Sequence, residues 1–398
     1  MWGGIGQWLG GGSADAIAGA KPQPPELTDE ERLREISLEY EETVLANATQ
    51  NFNISRRLGS GNYGCVYRGT LPDGHDVAIK VLDITEDNEA ACGFADEVRV
   101  LSKFRHPNLV TLMGWGIGKV MEEGKGRRFL VYELLCGGDV SVRLAACRPE
   151  GGRPFVWGER LWVALDASCG LSHMHNSTPK AFHRDIKSAN ILLDRSGTAK
   201  MADFGLSGIA KHTDKMNMTC EQIAGTPGYA CPHYIKSGRV TEQTEVYAFG
   251  MVVLELLLNS MPACLGKGGN IVYPIFQVVQ PMEPGALERA LAAVDVKASW
   301  PPGLAREVAT FALKCSDMNM ATRPLFTEVG RRLRQLCDQY CQNERNHPST
   351  DPKLSRLPNP HMAAGGGGAS TRPQMQGAVY QAPPGGGGAG LPTRPQMP

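Results

Sequence analysis

The chain has 398 residues, of which 42% are hydrophobic and 21% are charged, so it can bury a sizeable core and exceeds what a single lobe requires. Its 41 basic residues balance its 41 acidic residues. This balance argues against a nucleic-acid-binding surface and against a protein held on a membrane by its charge.

Cysteine usage and hydropathy indicate an intracellular protein. The eleven cysteines are scattered without a C-x-x-C pair, and their odd number argues against a disulfide framework. The longest apolar run, residues 251–258, is too short to span a bilayer and contains Glu255. We therefore expect a soluble, cytoplasmic protein with no integral membrane segment.

The two ends of the chain have compositions that do not favour folding. Residues 1–27 are rich in Gly, Ala and Pro, which predicts a flexible arm. Residues 28–51 are acidic and helical in character, and Thr28 followed by Glu31 fits a capping box that opens a helix. Residues 343–398 lose periodicity and repeat a glycine run followed by Thr-Arg-Pro-Gln-Met, which predicts a disordered tail acting as a linker rather than a docking segment.

A glycine-rich turn lies between two strand-like runs. Gly59, Ser60, Gly61 and Gly64 would let backbone amides close over phosphates without side-chain collisions. The same glycine spacing occurs in dinucleotide folds, but there a helix follows, whereas here Val66 belongs to another strand-like run. We therefore interpret the turn as a phosphate-binding loop in a sheet, with Val66 facing a nucleotide.

The next strand and helix supply a candidate ion pair. Alternation along residues 76–82 places Ala78 and Lys80 on one face, giving a small side chain for adenine and a cation for phosphates. In the following helix Glu97 lies three residues after Phe94, beside an apolar stripe. A carboxylate so close to a buried face needs a partner, and Lys80 is the obvious one; a solvated edge lysine is the alternative.

The densest chemical signal is the stretch 183–190, His-Arg-Asp-Ile-Lys-Ser-Ala-Asn. Asp185 can accept the proton of an attacking hydroxyl, and Lys187 can neutralise the γ-phosphate of a nucleotide. Asn190 and the Asp203 of a following Asp-Phe-Gly offer the hard oxygen ligands that Mg²⁺ prefers. Residues 191–202 are typical of a hairpin that would bring these two metal ligands together.

The order and spacing of these motifs resemble the eukaryotic protein kinases, from about residue 52 to residue 336. The chain is most similar to serine/threonine kinases of the tyrosine-kinase-like group, which holds plant receptor-like and Pelle-type kinases. This resemblance implies an α+β, bilobal protein-kinase fold, with a mainly β N-lobe and hinge in residues 52–135 and a larger helical C-lobe in residues 136–342. It also implies that ATP and Mg²⁺ are used.

Further site residues follow from the resemblance alone. Tyr132 takes the position behind the nucleotide pocket, where its alternative is simple packing between strands. Glu133 and Leu135 take hinge positions that contact adenine, and Leu192 takes a position that binds the nucleotide. Lys80 and Glu97 correspond to the ion pair of an assembled kinase site.

The substrate side of the resemblance points to serine or threonine. Residues 225–229, Gly-Thr-Pro-Gly-Tyr, resemble the substrate-binding loop of serine/threonine kinases, and Lys187 agrees, so we expect a protein substrate with a Ser/Thr acceptor. Thr213 and Thr219 lie in a polar segment long enough to be an activation loop. We expect an upstream kinase or the protein itself to phosphorylate one of them, and Arg184 to receive the phosphate.

Three departures from the family pattern concern architecture. Cys231-Pro232-His233 replaces Ala-Pro-Glu, which is expected to leave Arg323 without its carboxylate partner. Glu245 replaces an aspartate, and residues 273–300 match no pattern. These departures permit an alternative function, a nucleotide-binding pseudokinase scaffold, which the intact chemical residues oppose.

Overall fold

The computed structural model describes residues 28–61, 64–84, 93–119, 126–210, 217–220, 223–281 and 283–341. The predicted arm, the predicted tail and Thr213 lie outside these described residues. The described chain forms a lobe based on a sheet, followed by a larger helical lobe, which confirms the predicted α+β bilobal fold.

The small lobe is built on a five-stranded antiparallel sheet with the order β1-β2-β3-β5-β4. Its strands are β1 (Arg57–Gly61), β2 (Gly64–Thr70), β3 (Asp76–Ile84), β4 (Leu112–Ile117) and β5 (Gly126–Glu133). Val77, Ile79 and Val81 are buried on one face of β3, and the partly exposed Ala78 and Lys80 alternate with them. The alternation predicted from the sequence is therefore confirmed.

Residues 28–51 form two short helices, because the segment between them bonds to the sheet. Helix α1 (Asp29–Ile36) begins with the predicted capping box at Thr28, and α2 (Glu42–Ala48) follows. Between the helices, the Tyr40 N–H donates to the Trp115 carbonyl at 2.7 Å, and the Trp115 N–H donates to the Leu38 carbonyl at 2.9 Å. The lead-in thus extends the edge of the sheet at β4.

Helix α3 (Phe94–Lys103) carries the predicted apolar stripe into the core. Helix α1 packs against α3: Leu33 is 2% exposed, and Asp29 lies 2.9 Å from Arg99. At the start of α3, a Cβ on Gly93 would lie 1.7 Å from the Gly205 carbonyl oxygen. Only glycine permits this approach, which joins α3 to the Asp-Phe-Gly segment.

The larger lobe is helical. Its helices are α4 (Val140–Ala146), α5 (Trp157–Asn176), α6 (Pro232–Ser237), α7 (Glu242–Leu258), α8 (Pro274–Val279), α9 (Ala286–Ala292), α10 (Pro302–Cys315) and α11 (Phe326–Tyr340). Helix α7 is buried on all sides, as its apolar sequence predicts, and α5 and α10 pack against it. Across the described ranges, no helix is long and apolar enough to span a membrane.

Short strands and 3₁₀ turns position the loops of this lobe. The strands are β6 (Gly138–Asp139), β7 (Ala181–Phe182), β8 (Ile191–Leu193), β9 (Ala199–Met201), β10 (Gly208–Ile209), β11 (Asn217–Thr219), β12 (Arg239–Thr241), β13 (Cys264–Leu265) and β14 (Ile271–Val272). The 3₁₀ turns are Ile54–Arg56, in the small lobe, and Ser188–Asn190, Val296–Ala298 and Met320–Thr322. Strands β8 and β9 pair antiparallel, which confirms the predicted hairpin.

The unmatched segment 273–300 is part of the helical core. Ile275, Val279 and Ala290, on α8 and α9, are buried. Asp295, just after α9, lies 2.6 Å from the guanidinium of Arg160, which is fully buried on α5. The segment that matched no pattern in the sequence therefore packs like the rest of the lobe.

Candidate active site

The predicted glycine-rich turn lies between β1 and β2, which pair antiparallel. Gly61 pairs with Gly64, and Ser60 pairs with Cys65. A Cβ on Gly64 would lie 1.7 Å from the Val81 carbonyl oxygen of β3, so glycine is required for this packing of strands. A strand follows the turn, as predicted, where a dinucleotide-binding unit would have a helix.

Lys80 is held between two carboxylates. Its Nζ lies 2.9 Å from Glu97 Oε2 and 2.9 Å from Asp203 Oδ1. Burial opposes the charged amine, but the negative charges of Asp203 and Glu97 outweigh it and raise the pKa of Lys80. The Lys80 charge in turn lowers the pKa of Asp203 to about 2. The strand-to-helix ion pair expected from the resemblance is present.

Glu97 is fully buried, and it accepts more than the lysine bond. The Tyr132 hydroxyl donates to Glu97 Oε1 at 2.6 Å, and the Phe204 N–H donates to the same oxygen at 3.0 Å. Burial, followed by the Glu97 charge, raises the pKa of Tyr132 well above its usual value. Tyr132 thus does more than fill space between strands, a role that sequence reasoning missed. The Glu97 carboxylate therefore connects helix α3 by hydrogen bonds to β3, β5 and the Asp-Phe-Gly segment.

The predicted base is at the centre of a second network. Asp185 Oδ2 accepts from Lys187 Nζ at 2.7 Å and from Asn190 Nδ2 at 3.0 Å. Asp185 Oδ1 accepts from the Thr226 hydroxyl at 2.7 Å, and Lys187 also donates to Thr226 at 3.1 Å. All four residues are buried. Thr226 was absent from the predicted site, although its place in the Gly-Thr-Pro-Gly-Tyr pattern was a usable signal.

Glu245 of α7 supports the loop that carries the base. Its carboxylate accepts from the backbone N–H groups of His183 at 3.1 Å and Arg184 at 2.5 Å, and it bonds to His175 Nε2 at 2.7 Å. Arg184 has a φ of +68°, which is unfavourable for a residue with a side chain. The glutamate that departs from the family pattern therefore fixes the strained backbone just before Asp185.

The two predicted metal ligands are brought together by the β8–β9 hairpin. The Ala202 N–H donates to the Asn190 carbonyl at 2.8 Å, which places Asp203 beside Asn190. The Asn190 amide nitrogen donates to Asp185, so its side-chain oxygen is left for a ligand. The Asp203 side chain is 49% exposed. An amide oxygen and an ionised, accessible carboxylate form a donor set that fits Mg²⁺.

The predicted nucleotide walls are partly exposed apolar side chains. Val66, Ala78 and Leu192 lie in β2, β3 and β8, and Leu135 lies two residues after the end of β5. Glu133, at the end of β5, accepts from Lys200 Nζ at 2.8 Å and from the Thr111 N–H at 2.8 Å. Its carboxylate is therefore occupied by contacts within the protein.

The described part of the predicted activation loop includes Thr219. This threonine is exposed at the end of β11 and is paired in register with Arg239 of β12. The Arg184 guanidinium donates to the Leu206 carbonyl at 2.9 Å and also lies against Cys220. The structure therefore places two arginines in the region of Thr219.

The environment of Arg323 differs from what the sequence alone described. It is 4% exposed, and in the described part of the chain it makes no carboxylate ion pair, as expected. It donates instead to two backbone carbonyls and to Cys231 Sγ, at 3.1 Å from Nη1, and lies over the Tyr247 ring. His233 is exposed and contacts Cys231 at 3.9 Å. Cys231, and not His233, is the residue of this segment that meets the arginine.

Comparisons with known proteins agree with this geometry. Residues 52–333 match the family described as protein tyrosine and serine/threonine kinase. The chain therefore belongs to the protein kinase family, whose members use ATP and typically Mg²⁺.

Three relatives from plants illustrate the similarity. The chain is 41% identical over 220 residues to the proline-rich receptor-like protein kinase PERK3 of Arabidopsis thaliana, covering 55% of this chain and 40% of that protein. It is 34% identical over 304 residues to the probable serine/threonine-protein kinase PBL2 of Arabidopsis thaliana, covering 73% of this chain and 68% of that protein. It is 40% identical over 216 residues to the receptor protein kinase WSS1 of Oryza sativa subsp. japonica, covering 54% of this chain and 23% of that protein.

Proposed function

We propose that this protein is a serine/threonine kinase that transfers the γ-phosphate of ATP to hydroxyl groups of protein substrates. The observation that carries the proposal is the buried network in which Asp185 is bonded to Lys187, Asn190 and Thr226. A base, a cation and a metal ligand are oriented there by one another, as phosphoryl transfer requires.

Each charged group has one role in this reaction. Asp185 accepts the proton of the substrate hydroxyl, and Lys187, 2.7 Å from Asp185, balances negative charge on the transferred phosphate. Lys80, fixed by Glu97, binds the phosphates of the nucleotide. Mg²⁺ held by Asn190 and Asp203 would offset the charge of the phosphate oxygens.

The acceptor class follows from two residues. Lys187 and Thr226 hydrogen-bond to each other and to the base at the place where the substrate hydroxyl must arrive. This arrangement supports serine or threonine as the acceptor, and PBL2 is named a probable serine/threonine-protein kinase. The pseudokinase alternative gains no support here, because Lys80, Asp185, Asn190 and Asp203 are all present in a connected site. ATP as the phosphate donor favours a cytoplasmic location.

The test compares the protein with Asp185→Asn and Asp203→Asn, using labelled ATP, Mg²⁺ and a generic acceptor protein. Both variants should lose phosphate transfer. Only Asp203→Asn should strongly weaken magnesium-dependent nucleotide binding, because Asp203 is a metal ligand whereas Asp185 is the base. Equal, appreciable activity in all three proteins would refute the enzyme assignment.

We further propose that phosphorylation of Thr219 regulates the enzyme. Thr219 is exposed and faces Arg239 across the β11–β12 pair, and a phosphate at this position can form charge-assisted hydrogen bonds with arginine. Mass spectrometry of the active protein should show phosphate on Thr219, and Thr219→Val should lower activity more than Thr70→Val, another exposed strand threonine. Full activity without phosphate at position 219 would contradict the proposal.

A further inference from the structure

An open surface cavity of about 570 Å³ lies between α5, α11 and the loop that precedes β4. Its lining includes His106 from the loop, Ser172 and His173 from α5, and Arg331 and Arg334 from α11. None of these residues belongs to the proposed catalytic site.

The charged side chains that line the cavity are both basic. Arg331 and Arg334 are three residues apart and are therefore neighbours on one helix surface. Within the described ranges neither guanidinium forms an ion pair with a carboxylate, whereas the intervening Arg332 is paired with Glu307. No Asp or Glu lines the cavity. Two like charges without a counter-ion repel each other, and an anion between them relieves that repulsion.

Two stacked imidazoles form part of the cavity lining. The rings of His106 and His173 are 5.2 Å apart with an angle of 27°, and Phe104 packs edge-on against His173. The His106 Nδ1 accepts from the Asn108 N–H at 3.1 Å, so the neutral ring carries its proton on Nε2. Burial and the neighbouring His173 lower the pKa of His106. A held imidazole with a defined N–H is a preorganised hydrogen-bond donor.

A hydroxyl completes the set of donors. The Asn176 amide donates to Ser172 Oγ at 2.9 Å, which leaves the hydroxyl proton of Ser172 available to another acceptor. Guanidinium forks, ring N–H groups and a hydroxyl are all donors, and a phosphate monoester offers three acceptor oxygens with nearly two negative charges. We propose that this cavity binds a phosphate monoester, carried either by a phosphorylated side chain of a peptide or by a small organic phosphate.

The experiment measures the anisotropy of a fluorescein-labelled phosphoserine peptide added to the full chain, with the unphosphorylated peptide and inorganic phosphate as further arms. The phosphopeptide should bind, and Arg331→Gln and Arg334→Gln should each weaken it at least about tenfold (about 1.4 kcal/mol). Arg332→Gln removes the same charge from the same helix but outside the cavity, and it should leave the affinity within about twofold. His173→Phe keeps the stacked ring and loses the nitrogens, so it should also weaken binding.

Comparison of the ligands distinguishes the two sources of phosphate, and a variant of the catalytic site tests whether the peptide binds there instead. If the phosphopeptide binds more tightly than inorganic phosphate does, the ligand is a phosphorylated side chain of a peptide. If the two affinities are equal, the ligand is a small organic phosphate. Lys80→Met should bind the peptide as wild type does, which keeps this result independent of nucleotide binding. Binding that needs no phosphate, or that survives both arginine substitutions in proteins with unchanged melting temperature, would overturn the proposal.

Discussion

Replacement of Glu245 by glutamine should damage both stability and catalysis, because one carboxylate serves the two backbone N–H groups of His183 and Arg184 as well as His175. Glutamine has the same shape, but its amide nitrogen cannot accept a hydrogen bond. At least one buried donor is then left without a partner. The substitution therefore tests whether this carboxylate holds the catalytic loop.

The magnitude follows from the bonds that are lost. A hydrogen bond to a charged group contributes about 1.5–3 kcal/mol, and removal of one member of a buried charged pair costs about 3–5 kcal/mol in total. We expect a loss of about 3–5 kcal/mol, which corresponds to a decrease of about 5–8 °C in melting temperature at about 2.1 cal/mol/K of unfolding entropy per residue over the domain of residues 52–333. Because the loop carries Asp185, a displacement of about 1 Å should also lower kcat about 100-fold.

The pH dependence has a definite sign. Burial raises the pKa of Glu245, but the hydrogen bond and charge of His175 outweigh it, so the pKa lies below its usual 4.5. A depressed carboxyl pKa stabilises the folded protein above the unfolded pKa, and this stabilisation is lost as pH falls through the folded pKa. The difference in melting temperature between wild type and Glu245→Gln should therefore be largest at neutral pH and should become smaller below pH about 4.5.

Glu242→Gln is the matched control. Glu242 is also buried on α7, where it accepts from the Phe326 N–H at 2.8 Å and from Lys180 at 3.2 Å, away from the catalytic loop. It should lower the melting temperature while leaving kcat per folded molecule near that of wild type. Thermal unfolding and steady-state kinetics measure both effects. Equal losses of kcat in the two variants, or a wild-type kcat in Glu245→Gln, would refute the reasoning.

Two other substitutions test how α3 is positioned. Tyr132→Phe removes the hydroxyl that is bonded to Glu97, so it should destabilise the protein by about 1–3 kcal/mol and raise the KM for ATP more than it lowers kcat. An unchanged KM and an unchanged melting temperature would show that this hydrogen bond is unimportant. Leu33→Ala opens a cavity where α1 meets α3, so it should lower the free energy of unfolding by about 2–5 kcal/mol in chemical denaturation and also lower activity. Ile36 is more exposed, so Ile36→Ala should lower the free energy of unfolding far less, and equal losses in the two variants would show that α1 does not position α3.

Much of the site is determined by local sequence. Asp185, Lys187 and Asn190 lie within six residues of one another, so their spacing alone predicts that they share one loop. Alternation in β3 places Lys80 on the same face as Ala78, and the apolar stripe of α3 brings Glu97 toward a buried partner. These features depend on the periods of a strand and a helix, which are fixed by backbone geometry.

Tertiary structure decided which distant groups complete the site. Thr226 reaches Asp185 across 41 positions of sequence, Tyr132 reaches Glu97 across 35, and Glu245 reaches the His183 N–H across 62. Sequence patterns indicated that Arg323 would lack a carboxylate, but only the fold showed that Cys231 lies beside it. The periodicity of a helix or strand predicts the face on which a side chain lies. The partner of that side chain depends on how whole helices and strands pack, because a buried polar group bonds to the donor or acceptor that packing brings within reach.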